Sequence, residues 1–175
     1  MRRAAPARHS FVERLIGVLS LREDILREVI RDPGANQQAV RALLIGSIGP
    51  ALGAMFVLGL AALPFFFVLG TIIWCVYGVL VYFLATKLFA AADTEANFSA
   101  FSRGIAFAGL PRVIQFVTFN PILSVVFGVI GIVWTVAATI VAVRLSLNLS
   151  RQRAAGAAIV AAAVQFVFTA LLGGG

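Results

Sequence analysis

The chain has 175 residues, 61% of them hydrophobic and 12% charged, with mean hydropathy +1.02, net charge +7 and a pI near 11.3. A soluble domain carries about 25% charged residues, so these figures exclude an ordinary soluble globule and leave one helical membrane bundle with little chain over for a separate soluble domain. The positive charge does not point to nucleic acid, because it sits in the tail and in certain connections, where insertion bias and anionic headgroups account for it, and no basic run is interleaved with aromatics.

Met1 to Ser10 is basic and reads as a loose tail, with His9 a solvated residue that has no cysteine or carboxylate at ligand spacing. No short apolar core with a cleavage site precedes the first long apolar run, so the tail is expected to stay on the mature protein. From Phe11 to Asp32 the pattern is helical. Val12, Leu15, Ile16 and Leu19 repeat at three and four, as do Ile25, Leu26, Val29 and Ile30. Between the two sets, Ser20 and Glu23 have the spacing of a capping box. Asp32-Pro33-Gly34 closes the second helix, because proline disfavours helix at the residue before it. The polar face of Arg22, Glu23, Asp24, Arg27, Glu28 and Arg31 makes the pair amphipathic, lying on cytoplasmic headgroups or forming a solvated cap on the bundle base. Residues 1–41 thus form a cytoplasmic segment.

Five apolar stretches follow within 42–172, at about 42–62, 65–91, 103–119, 122–143 and 154–172, before Gly173-Gly174-Gly175. At 1.5 Å per residue, about 20 residues cover the ~30 Å hydrocarbon core. The connections near Leu63-Pro64 and at Phe119-Asn120-Pro121 carry no charge. The others hold Lys87, Asp93, Glu95 and Arg103, then Arg144, Arg151 and Arg153, and the tail before Ala42 holds eight arginines. Basic residues stay on the cytoplasmic side during insertion. The expected fold is therefore all-α, a polytopic five-transmembrane-helix bundle preceded by cytoplasmic amphipathic helices, N-terminus inside and C-terminus outside the cell inner (plasma) membrane. The expected partners are the lipid bilayer with its anionic headgroups, and other membrane proteins or further copies of this chain. The single cysteine, Cys75, lies in the second stretch and behaves as a small hydrophobe.

Each stretch has one narrow face of small residues, such as Ala42, Gly46, Gly49 and Gly53 in the first and Ser124, Gly128, Gly131, Thr135, Ala138 and Ala142 in the fourth. Small residues let membrane helices approach closely where lipid supplies no hydrophobic drive, so these faces read as packing seams. Arg112 does not fit that reading. It lies nine residues from Arg103, roughly 14 Å deep, where an arginine costs about 2.5–3.5 kcal/mol and should face the interior or water, or else snorkel outward past Phe119. No Asp or Glu lies within any stretch to balance it. The same count places Pro50, Tyr77, Thr135 and Gln165 at roughly 14–18 Å, with Gln115 a turn beyond Arg112. Pro50 and Pro111 would kink their helices and free carbonyls at that level to accept from the guanidinium. The layer of Tyr77, Arg112, Gln115, Thr135 and Gln165 is either a polar clasp that fixes helix register or a receiver for an anion such as a lipid phosphate or small carboxylate.

Enzyme signatures are missing: no phosphate-binding Gly-rich loop, no His/Glu pair at metal spacing, no intramembrane Asp pair and no Gly-x-Ser-x-Gly. No catalytic residue, metal or cofactor is expected, since the bundle holds neither histidine nor acid for proton transfer.

Leu26-Arg27-Glu28-Val29-Ile30-Arg31-Asp32-Pro33 ahead of the first stretch, the long second stretch, Phe101-Ser102-Arg103-Gly104-Ile105-Ala106-Phe107-Ala108-Gly109-Leu110-Pro111 opening the third and Trp134 in the fourth resemble the Yip-domain family of multi-pass membrane proteins in its shorter bacterial form. The resemblance spans roughly Leu21 to Leu172. It implies a five-helix bundle with a cytoplasmic N-terminus and a non-enzymatic role as membrane adaptor or organiser. Eukaryotic members act with Rab-type GTPases in vesicle traffic, but the long cytosolic region of those members, with its Asp-Leu-Tyr-Gly-Pro segment, is absent here. Two other roles fit the residues: a small carrier or channel for an anionic or lipid-like solute through the layer around Arg112, and an accessory subunit of a larger membrane complex.

Overall fold

The computed structural model describes residues 9–94, 96–117 and 121–173, with side chains described as far as Thr169. All regular structure among them is helical. Helix α1 (Phe11–Leu19) and α2 (Glu23–Arg31) form a short hairpin, and a single 3₁₀ turn at Pro33–Ala35 leads into α3 (Asn36–Leu58). After the turn at Gly59, α4 (Ala62–Phe83) runs back and ends in wide π-type turns at Leu84–Leu88. Next come α5 (Phe98–Ala108), a 3₁₀ segment at Leu110–Phe116, α6 (Pro121–Leu147) and α7 (Arg151–Gly173). Four helices are long and apolar enough to cross a membrane: Pro33–Leu58, Ala62–Leu88, Pro121–Leu147 and Arg151–Thr169.

The third apolar stretch is the exception, and its sequence says why. Pro111 has no N–H and disfavours helix at Leu110, so α5 ends at Ala108 and the chain tightens into the 3₁₀ segment. Almost every residue from Phe101 to Arg112 is buried. Both halves pack between α3 and α6, so this stretch is the axis of the bundle rather than one of its outer staves. Thr118 and Phe119, which end the stretch in the sequence reading, lie outside the described residues.

Glycine makes the central contact possible. A Cβ on Gly46 would lie 2.5 Å from the Gly109 carbonyl oxygen, and one on Gly49 only 2.4 Å from that of Val113. The backbone of α3 thus lies directly on the 109–113 backbone, as small residues allow in membranes. In α6 the buried face is Gly131, Thr135, Ala138, Thr139 and Ala142. Gly128, assigned to that seam from its spacing, faces outward: a methyl group placed there would have nothing within 4 Å.

The N-terminal hairpin is tied into the bundle. Arg14 is fully buried, donating through Nε and Nη2 to Glu28 Oε1 (3.2 and 2.7 Å), through Nη2 to Asp32 (2.9 Å) and through Nη1 to Gln38 (2.7 Å). Burial alone would lower the pKa of Arg14, but the two carboxylates outweigh it and raise it. His9 is not simply solvated. Its Nδ1 and backbone N–H both meet the Glu28 carboxylate across the hairpin. Burial opposes ionisation of Glu28, yet its bonds to His9 and Arg14 prevail and hold the carboxyl below its ordinary value. The capping box is at Ser10 and Glu13, at the start of α1. Ser20 and Glu23, which have the same spacing, do not form one: α2 starts after Arg22 without a side-chain cap, and Glu23 is ion-paired with Arg144 of α6.

The charged connections meet at one end of the bundle. Arg103 donates twice to the Ile30 carbonyl at the end of α2 (3.1 and 2.6 Å) and reaches Asn36 and Ser99. Arg153 bonds the Ala90 carbonyl, joining the connection after α4 to the start of α7. The hairpin also extends below this end, since the Trp134 indole, midway along α6, donates to the Leu19 carbonyl (3.0 Å).

Candidate functional site: a polar cavity around Arg112

The 3₁₀ segment carries Arg112 and Gln115 towards α4, α6 and α7. There they line a cavity of about 380 Å³ whose wall also includes Pro50 of α3, Gly70, Trp74 and Tyr77 of α4, Thr135 of α6 and Gln165 of α7. Six of the seven residues singled out by depth or kinking in the sequence reading therefore meet at one hollow. Pro111 does not line it; this proline is fully buried at the start of the 3₁₀ segment and acts by breaking α5.

The bonding differs from the expected clasp. Arg112 is 9% exposed, and its Nη2 donates to the Gly70 carbonyl at 3.2 Å. That carbonyl belongs to α4, not to a proline-broken turn. The guanidinium also lies over the Trp74 ring, 5.0 Å from the centroid, a cation–π distance. Its Nη1 is buried without a hydrogen-bond partner, and so is the hydroxyl of Thr135. The carbonyl released by the α5 break goes to Trp74 instead: the Gly109 N–H turns to Phe107, and the Trp74 indole donates to Ile105 (3.2 Å). Trp74 in turn fills the space over Gly109, where a Cβ would lie 2.9 Å from the indole. Tyr77 stacks beside it at 4.9 Å and donates to the Ala158 carbonyl of α7 (3.3 Å).

The sequence reading missed Trp74 and Gly70. Their spacing with Tyr77, at i, i+4 and i+7, placed all three on one face of a helix, and that pattern was the available signal. Apart from Thr169, the rest of the wall is apolar, including Phe66, Leu69, Ile73, Ile132, Val136 and Phe166. Among the described residues, Arg112 is the sole charged side chain in it. A buried guanidinium with an unused donor, in one cavity wall with an unpartnered hydroxyl and two amide side chains, can offer several N–H and O–H groups to one anion. No group of His, Cys, Asp and Glu able to hold a metal occurs among the described residues. The chain matches no known protein family, no curated protein and no solved structure.

Proposed function

We propose that the chain is a non-enzymatic integral membrane protein that binds an anion at Arg112 inside its bundle. The carrying observation is the buried Nη1 of Arg112, left without a partner in the wall of a cavity large enough to receive one. An unbalanced intramembrane arginine is costly, and a bound anion offsets that cost. A clasp that only set helix register would use the donors of Arg112 and Thr135 on each other's elements, and it would leave no hollow between them. The bundle is read as five crossings, the fifth being α5 with its 3₁₀ extension. These run to roughly 30 Å if continuous, close to the hydrocarbon thickness. With the charged connections on the cytoplasmic side of the inner membrane, the N-terminus is inside and the C-terminus outside.

A second reading, as a Yip-type adaptor or organiser, is favoured by the N-terminal hairpin, which ion pairs and the Arg103 contacts hold as a formed surface at the charged end. The two readings are compatible, with the cavity receiving the ligand and the charged face of α2 offered to cytoplasmic partners. Native mass spectrometry of the full chain in an uncharged detergent tests the first. Wild type should retain a bound anionic adduct that Arg112→Gln lacks, and identical adduct patterns would refute it. A tag after Gly175 tests the topology, which requires it to be reachable only from outside intact cells.

A further inference from the structure

We propose that the ligand of the Arg112 cavity is a single-chain amphiphile with one negative charge, a long-chain carboxylate, which enters sideways from the bilayer. This rests on the reading of Arg112 as an anion site and adds where the anion comes from and what is attached to it.

Three observations narrow the chemistry. The first is the route. Ile132 on α6 and Phe166 on α7 line the cavity and are also 54% and 70% exposed on the flank of the bundle, so the hollow reaches the surface that faces hydrocarbon. The Gly70 carbonyl that Arg112 binds lies about 12 Å along α4 from its uncharged end, within the depth of the acyl chains. Among the described residues no charged side chain besides Arg112 lines the cavity, and its other polar lining is uncharged, with Gln165 and Thr169 on α7. A hydrated ion therefore meets no second charge on the way in, whereas an amphiphile already dissolved in the leaflet has an apolar approach along Ile132 and Phe166.

The second is the charge. One guanidinium in a site without any carboxylate is neutralised by one negative charge. A dianionic phosphate monoester would leave a net charge in hydrocarbon, and a zwitterionic headgroup would leave the guanidinium's charge uncompensated. A carboxylate also matches the guanidinium fork and has lone pairs left for the Thr135 hydroxyl and the Gln115 or Gln165 amide.

The third is the size. A cavity of about 380 Å³ lies at the low end for ligand sites. It accommodates a small head and part of one chain, the remainder resting along Ile132 and Phe166. Two chains joined by a glycerol head do not fit this shape.

The test uses Trp74, which stacks on Arg112 in the cavity wall. Full-length Trp134→Phe protein, which leaves Trp74 as the one tryptophan of the two in the chain, is placed in phosphatidylcholine nanodiscs. It is then titrated with dibromostearate, with the matching dibromo-alcohol, with dibrominated phosphatidylglycerol and with iodide. The expected result is saturable quenching by dibromostearate alone. Arg112→Gln should weaken it roughly tenfold to hundredfold, the loss expected when a charge-assisted bond is removed. Arg112→Lys should fall between, and Ala162→Phe, at a further residue of the cavity wall on α7, which fills the hollow without touching the charge, should abolish it. Circular dichroism and a cooperative melt identify variants that remain folded.

Equal, unsaturable quenching by acid and alcohol would overturn the proposal. Saturable, Arg112-dependent quenching by phosphatidylglycerol instead would overturn the single-chain carboxylate, and by iodide would overturn both the carboxylate and the lateral route, while either leaves anion binding at Arg112 standing. If no probe shows Arg112-dependent saturation, and native spectra show no adduct, the anion reading fails with it.

Discussion

Gly49→Ala adds one methyl group at the point where the structure has least room. The new Cβ would lie 2.4 Å from the Val113 carbonyl oxygen and 2.5 Å from that of Arg112, whereas ordinary contact begins at 3.4 Å. Both neighbours are backbone, so no side chain can swing aside. Helix α3 and the 3₁₀ segment must part by about 1 Å, which strips contacts along the whole seam. Overpacking of this kind costs roughly 1–3 kcal/mol, and rigid neighbours place it at the upper end. Alanine returns up to about 1 kcal/mol through helix propensity, leaving a net loss of roughly 2 kcal/mol. For a chain of this size that corresponds to a melting temperature lower by about 4–8 °C. The internal control is Gly128→Ala, where a methyl meets nothing within 4 Å and the propensity gain acts alone. Melts of both variants in one uncharged detergent, followed by far-ultraviolet circular dichroism, make the comparison. If Gly49→Ala melts with or above Gly128→Ala, the close approach of α3 to the 109–113 backbone is wrong.

Arg14→Met should be among the most damaging single changes outside the spans. It removes the guanidinium from the Glu28 and Asp32 carboxylates, and breaking a buried pair from one side costs about 3–5 kcal/mol, with the partial exposure of Glu28 and its remaining bonds to His9 favouring the lower figure. Hydrogen exchange in nanodiscs should show α1 amides losing protection while α4 and α6 keep theirs; uniform protection would contradict the network. Docking of the hairpin should also depend on acidity. The Glu28 pKa is depressed in the folded state from its ordinary value of 4.5, so its contribution is complete above that value and is lost as pH falls through the lower folded one. Exchange in α1 should therefore accelerate on acidification below about pH 4.5, and Glu28→Gln should flatten that response. Arg103→Ala removes both donors from the Ile30 carbonyl at the end of α2, and the last turn of α2 should fray by the same measurement, with an unchanged turn arguing against the cap.

The local signals in the sequence are legible where the relevant physics is itself local. Apolar runs locate α3, α4, α6 and α7, because length and composition alone make a helix suited to hydrocarbon, but they miss that α3 starts at Asn36 and that α4 ends at Phe83. Proline marks the end of α2 before Pro33 and the break of α5 near Pro111, because a missing N–H acts on the turn that contains it. The depth count brings six residues to one cavity, since helical rise is nearly constant. Equal local signals with different fates lie beyond it. Ser10-x-x-Glu13 and Ser20-x-x-Glu23 have the same form, yet only the first caps a helix, because Arg144 of a distant helix takes Glu23. His9 gains Glu28 as a partner through the fold of the hairpin.

The sequence by itself determined that this chain is helical, suited to a membrane, and burdened with one arginine that has no acid near it at the same depth. Only the tertiary structure decided which carbonyl and which aromatic face that arginine meets, and that one of its donors is left over beside a hollow. The reason is physical. Hydropathy and rise per residue are properties of a single helix, whereas hydrogen-bond partners depend on how neighbouring helices are rotated about their axes. That rotation is set by close contacts such as Gly49 on Val113, which no single segment contains.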